Sequence, residues 1–229
     1  MTAEAASETS ASDAAPSSCG TAKKSASACG CSGNPVFDGV DPRYKMVLWI
    51  VIGLNGLMFV VEMMAGHLAG SQALKADALD FLGDTLTYGI SLAVIGMPVK
   101  VRSTAALMKG VSLLGMGAWV MVTTIIAMMG PGLPAAPVMG VVGFAALAAN
   151  LISVMLLAKW KDGDANVRSV WLCSRNDAIG NVAVMFAALG VWGSSTGWPD
   201  LIVALGMAGL FLSSAVSILR QSVAEYRAA

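Results

Sequence analysis

The segment from Val138 to Ala158 reads VMGVVGFAALAANLISVMLLA, 21 consecutive residues without a charged side chain. About 20 helical residues cover the ~30 Å hydrocarbon core of a bilayer, so a run of this length is typical of a membrane-crossing α-helix. In the whole chain of 229 residues, 56% are hydrophobic and only 12% are charged, whereas soluble proteins carry roughly 25% charged residues. The sequence therefore indicates a membrane protein.

Five further apolar segments of similar length accompany this one, and turn-forming Gly and Pro residues separate them. We predict an all-α membrane protein with six transmembrane helices, a multi-pass protein of the cell membrane, or of the inner membrane in a Gram-negative bacterium. The predicted spans are Met46–Ala65, Ala73–Gly96, Ala105–Met129, Val138–Ala158, Ser169–Trp192 and Leu201–Leu219.

Basic residues predict the orientation, because Lys and Arg near helix ends favour the cytoplasmic face. The three loops on one side of the predicted membrane contain no Lys or Arg. The other side receives Arg43, Lys45, Lys100, Arg102, Lys159, Lys161, Arg168, Arg220 and Arg227. Both termini are therefore expected in the cytoplasm.

The 14 basic and 14 acidic residues balance, which disfavours nucleic acid as a partner and leaves the lipid bilayer as the expected surroundings.

Composition divides the chain into three parts. Residues 1–40 are rich in Ala, Ser, Thr and Gly, which predicts a disordered cytoplasmic tail containing cysteines. Residues 41–222 form the predicted six-helix transport domain, and residues 223–229 a short C-terminal tail.

In the N-terminal tail, Cys29 and Cys31 are spaced so that two thiolates could hold one soft ion, and a reducing cytoplasm would keep them free. A tail without function is the alternative.

The second helix carries acids where lipid surrounds the chain. Its segment ALKADALDFLGD places Asp77, Asp80 and Asp84 near one helical face. A carboxylate at the bilayer centre costs roughly 2.5 to 3.5 kcal/mol on insertion scales, so it is retained where it faces a cavity or a partner. Two neighbouring carboxylates repel each other unless a proton or a cation lies between them. The spacing favours a divalent metal site, with an ion pair to Lys75 or Lys109 as the alternative.

The fifth helix repeats this spacing. Its segment CSRND places Cys173 four residues before Asp177, and Asn181 follows one turn later. If this helix packs beside the second helix, two side chains from each could form a tetrahedral set of three oxygens and one sulfur. Other polar residues of the helices are assigned to contacts between helices and left out of the site. These are Asn55, Glu62 and Lys109.

From about residue 44 to residue 222 the sequence resembles the cation diffusion facilitator family of six-helix metal exporters. The segments GSQALKADALDFLGD and CSRNDAIGN carry the resemblance, and Cys173 stands where the family usually has His. The resemblance implies secondary efflux of a divalent metal in exchange for protons, by a transporter and not an enzyme, without a cofactor. Because a thiolate favours soft or borderline ions, the expected cargo is Zn2+ or Cd2+. The implied metal ligands are Asp80, Asp84, Cys173 and Asp177, with Asp77, Asn181, Cys29 and Cys31 as auxiliary candidates.

Members of this family usually continue into a cytoplasmic metal-binding domain, and we expect this chain to lack it. The resemblance implies a homodimer, which would then depend on helix contacts. The third helix offers Gly110, Gly115 and Gly117 as a candidate contact surface. Two other functions stay open. One is a membrane metal sensor or binding partner that does not transport, and the other is an intramembrane aspartyl hydrolase in which two acids share a proton.

Overall fold

The computed structural model describes residues 42–93, 99–130, 132–160 and 165–228. Within these ranges the chain folds into six α-helices, as predicted, and contains no strand. The helices are α1 (Pro42–Ala69), α2 (Gln72–Ala93), α3 (Val99–Met128), α4 (Ala136–Leu157), α5 (Ala165–Ser194) and α6 (Trp198–Ala228), with a single 3-10 turn at Ala158–Trp160. The predicted N-terminal tail lies outside the described residues. Helix α6 extends past residue 222, where the sequence analysis ended the transport domain.

The helices have the length and surface of membrane spans. All of them except α2 are long and apolar enough to cross a bilayer. Helix α2 falls short because it carries Lys75 and three aspartates. Large apolar side chains such as Leu57, Val141, Phe144 and Phe186 are exposed on the outside of the bundle, as expected where lipid is the solvent. The prediction of an all-α, multi-pass membrane protein is confirmed.

Helix packing divides the bundle into two groups. Helix α1 packs against α2 and α4, and α5 packs against α4 and α2, so these four helices form a closed ring. Helices α3 and α6 pack closely against each other, and this α3–α6 pair contacts the ring through α2 and α5. The second and fifth helices, which carry the predicted metal ligands, are therefore neighbours of each other and of the pair.

Glycines allow the close approach of α3 and α6. A Cβ atom at Gly110 would lie 2.9 Å from the Leu219 side chain, and one at Gly117 would lie 3.0 Å from the Phe211 side chain. The sequence analysis placed these two glycines, with Gly115, on a homodimer surface. That assignment is wrong for Gly110 and Gly117, because their missing side chains make room for α6 of the same chain. The homodimer itself stays a prediction.

A carboxylate from α6 holds the N-terminus of α2. The chain leaves α1 through Gly70, whose φ of 68° suits glycine. The carboxylate of Asp200 then accepts hydrogen bonds from the Ser71 hydroxyl (2.5 Å) and from the backbone amides of Gln72 (2.7 Å) and Ala73 (3.1 Å). The first amides of a helix have no partner within the helix, and a negative charge there also complements the helix dipole. We call this arrangement the Asp200 clasp.

Replacing Asp200 by Ala should destabilise the protein by about 2 to 4 kcal/mol, because a buried hydroxyl and two amides lose their acceptor. Thermal unfolding of the purified protein in detergent measures this as a lower Tm. Asp200→Asn, which keeps one acceptor oxygen, should lower the Tm less. An unchanged Tm in Asp200→Ala would contradict the role of the clasp.

Candidate metal centre

The ring and the α3–α6 pair enclose a cavity of about 530 Å3. Residues of α2, α3, α5 and α6 line it, and most of the lining is apolar. All four side chains that the sequence analysis proposed as metal ligands lie in its wall. The polar lining consists of Asp80, Asp84, Thr87, Lys109, Ser112, Cys173, Asn176, Asp177 and Ser214.

Three carboxyl groups from two helices meet in this cavity. The side chains of Asp80 and Asp84 on α2 each come within hydrogen-bonding range of Asp177 on α5. Asp84 is only 6% exposed, and Oδ2 of Asp177 is buried without a hydrogen-bond donor. A buried carboxylate oxygen without a donor is unfavourable unless a proton or a cation satisfies it. The arrangement is compatible with either.

The carboxyl groups do not yet form a complete coordination shell. In the part of the chain that the structure describes, no three His, Cys, Asp or Glu side chains are arranged closely enough around one point to hold an ion. Carboxylates on adjacent helical turns can rotate about their side-chain torsions without moving the backbone. Asp80, Asp84 and Asp177 would have to turn further towards a common point to coordinate a metal.

Tyr88 fixes one of these carboxyl groups. Its hydroxyl donates a hydrogen bond of 2.7 Å to Oδ2 of Asp84, and the tyrosine is 1% exposed. The contact orients Asp84 much as outer partners orient metal ligands in other proteins. The sequence analysis missed Tyr88, although its position four residues after Asp84 on the acidic face of α2 was a readable signal.

Cys173 lies in the cavity wall one helical turn before Asp177 and is 6% exposed. In the structure it is disulfide-bonded, and a disulfide sulfur is not the thiolate that binds metals. The geometry of α5 agrees with a ligand position, whereas the chemical state of the sulfur does not. Coordination by Cys173 therefore requires the reduced thiol. The auxiliary candidates Cys29 and Cys31, with Cys19, lie outside the described residues.

The other two auxiliary candidates, Asp77 and Asn181, are held in a separate buried network and do not line the cavity. The side-chain amide of Asn181 donates to Oδ2 of Asp77 at 2.8 Å, and its oxygen accepts from the Asn150 amide at 2.8 Å. Glu62 lies within hydrogen-bonding range of Asp77. The network thus joins α1, α2, α4 and α5, and all four residues are at most 2% exposed. We call it the four-helix network.

Lys109 was assigned to helix contacts by the sequence analysis, and the structure places it in the cavity wall. It reaches the site from α3 and interacts electrostatically with Asp84. Of the two lysines considered as ion-pair partners for the acids, Lys109 is thus the one that lines the cavity, whereas Lys75 does not. An ion pair of these acids with Lys109 was the alternative to a metal site in the sequence analysis, and the structure places this lysine beside Asp84.

Comparison with known proteins agrees with this architecture. The family profile described as the cation efflux transmembrane domain matches residues 48–225, which is most of the chain. The chain belongs to the cation efflux family. This confirms the resemblance to the cation diffusion facilitators that the acidic segments of α2 and α5 indicated.

Individual members of the cation efflux family are similar at low identity. The metal cation efflux system protein CzcD of Cupriavidus metallidurans is 27% identical over 187 residues, which cover 76% of this chain and 59% of that protein. The zinc transporter ZitB of Escherichia coli is 29% identical over 81% of this chain and 63% of its own length. The cadmium, cobalt and zinc/H(+)-K(+) antiporter of Bacillus subtilis is 23% identical with the same coverage. The chain spans about three fifths of the length of these curated relatives.

Replacing Asn181 by Ala should destabilise the protein by about 2 to 5 kcal/mol, because Asp77 and Asn150 both lose a buried partner. The measurement is thermal unfolding in detergent. The matched control is Asn176→Ala. This residue is on the same helix, but it is only partly buried and lies in the cavity wall, so its replacement should shift the Tm much less. Equal shifts in the two variants would argue against a structural role of the network.

Proposed function

We propose that this protein exports a divalent transition metal cation, Zn2+ or Cd2+, from the cytoplasm in exchange for protons. The ion would bind between Asp80, Asp84 and Asp177, with Cys173 as a fourth ligand when it is reduced. Three oxygens and one sulfur make up a tetrahedral donor set that suits both ions.

The observation that carries this proposal is the meeting of three carboxyl groups inside a membrane bundle. One of their oxygens, Oδ2 of Asp177, is buried without a hydrogen-bond donor. Acidic residues at membrane depth usually mark an ion or proton pathway. The names of these relatives support the same function, since they describe metal cation efflux, zinc transport and cadmium, cobalt and zinc antiport.

Exchange for protons follows from the chemistry of the ligands. Carboxylates and thiolates bind metals only when they are deprotonated, so metal binding releases protons and protons compete with the metal. When the cavity faces a compartment with more protons, the metal is displaced. When it faces the cytoplasm, the metal can bind again. Alternating access around one site then couples the two flows.

The proposal predicts metal uptake into inverted membrane vesicles when their lumen is made acidic. Asp84→Ala and Asp177→Ala should reduce uptake of Zn2+ and Cd2+ to the level of vesicles without the protein, because each removes a ligand from the shared site. Uptake of the radioactive metals is measured with and without the pH gradient. Lys75→Gln is the control, since that lysine of α2 lies outside the cavity lining.

Four results would contradict the proposal in different ways. Uptake that survives Asp84→Ala would exclude this site, and uptake that ignores the gradient would exclude proton exchange. Metal binding to the purified protein without any uptake would favour a sensor or binding partner. Peptide cleavage that needs both aspartates and no metal would favour a hydrolase.

A second prediction concerns Cys173. In the presence of a reductant, Cys173→Ser should weaken Cd2+ binding about tenfold and Zn2+ binding less, because a thiolate prefers the softer ion. Titration of the purified protein against a metal-chelating dye measures both affinities. Without reductant, the wild-type protein should bind Cd2+ like Cys173→Ser. Equal Cd2+ affinities under reducing conditions would show that Cys173 is not a ligand.

A further inference from the structure

The cavity holds a positive charge opposite its carboxyl groups. Among the described residues that line the cavity, Lys109 is the basic one. It belongs to α3, whereas the carboxyl groups come from α2 and α5. Its ammonium group interacts electrostatically with Asp84. Lysine offers three donors and no lone pair while it is charged, so in this form it cannot be a metal ligand. Its presence beside a cation site therefore needs a separate explanation.

The charges of the lining suggest that explanation. With Cys173 disulfide-bonded and therefore uncharged, Asp80, Asp84 and Asp177 contribute three negative charges when ionised and Lys109 contributes one positive charge, which gives a formal net charge of −2. One divalent cation would neutralise that charge. With a neutral residue at position 109 the carboxylates would carry −3, and a divalent ion would be held by an uncompensated negative charge in a medium of low dielectric.

Lys109 is also well placed to act from outside the coordination shell. Helix α3 belongs to the α3–α6 pair, which contacts the ring without being part of it. Around Lys109 the wall is largely apolar, with Met108, Leu113 and Met116 from the same helix. An apolar wall has a low dielectric constant, which strengthens the effect of a nearby charge.

We propose that Lys109 is a built-in counter-charge that limits the affinity of the site for divalent cations and thereby allows their release. This inference rests on the proposed function, since it assumes that the cavity binds the transported metal. Lys109 competes with the metal for the negative charge of Asp84 and repels the ion directly. Both effects weaken binding of any divalent cation to a similar degree, because neither depends on ligand softness.

A structural role predicts the opposite sign. If Lys109 only held α3 against α2 through Asp84, its removal would loosen the site and weaken metal binding. If it is a counter-charge, its removal tightens metal binding and slows release. The direction of the affinity change therefore separates the two roles, and the variant that keeps the charge should restore the wild-type value.

The test compares Lys109→Gln and Lys109→Met with Lys109→Arg and the wild-type protein. Each is purified in detergent and titrated with Zn2+ and with Cd2+ in competition with a chelating dye, and each is reconstituted into vesicles for uptake. The two neutral variants should bind both metals about tenfold tighter, with a lower KM and a lower maximal rate. Lys109→Arg should match the wild type. The matched control is Lys75→Gln. It removes a lysine of α2 that is not in the cavity lining, so it should leave both affinities unchanged.

The outcomes distinguish this inference from the proposed function. If the wild-type protein binds no metal, or if Asp84→Ala binds as well as the wild type, the proposed function fails. If the wild type binds and both neutral variants bind equally or more weakly, Lys109 is not a counter-charge. A tightening that Lys75→Gln reproduces, or that occurs for one metal alone, would also overturn the inference. Two neutral substitutions are used so that the result does not depend on the folding of one variant.

Discussion

The structure depends on one constraint, the cost of placing carboxyl groups where lipid excludes water. Each such group must find a donor, a proton or a cation inside the bundle. The described helices meet this constraint in two ways. In the four-helix network, Asn181 supplies a donor to Asp77 and ties four helices together. In the cavity, three carboxyl groups meet and Oδ2 of Asp177 is buried without a donor, as are both carboxyl oxygens of Glu62 in the network.

The same constraint explains why the two groups of helices differ in how they pack. The ring is joined by buried polar contacts, whereas α3 and α6 meet through small residues, with Gly110 and Gly117 against Leu219 and Phe211. Close packing at small residues is typical of the contacts between membrane helices. The cavity lies between these two kinds of interface, so its walls combine the carboxyl groups of the ring with a lysine from the pair.

The sequence predicted the helices, because long apolar segments are strong signals in lipid. It also singled out three of the acids that line the cavity, whereas their role as metal ligands stays a prediction. It could not assign Asp77 and Asn181 to a separate network, since their partner Asn150 lies on α4 and periodicity carries no information about contacts between helices. The position of Lys109 in the cavity depends on how α3 is rotated against α2, which packing decides. The disulfide bond of Cys173 was not predictable either, because it depends on contacts that the position of a cysteine in the chain does not show.

The Asp200 clasp has a consequence for movement within the bundle. Its three hydrogen bonds fasten α6 to the first turn of α2, and α2 follows α1 after a tight turn at Gly70. The ring and the α3–α6 pair are thereby joined at one end of the molecule. As long as these bonds hold, the spacing between α6 and the first turn of α2 is fixed at that end. The two groups of helices can therefore move apart there only if the clasp opens.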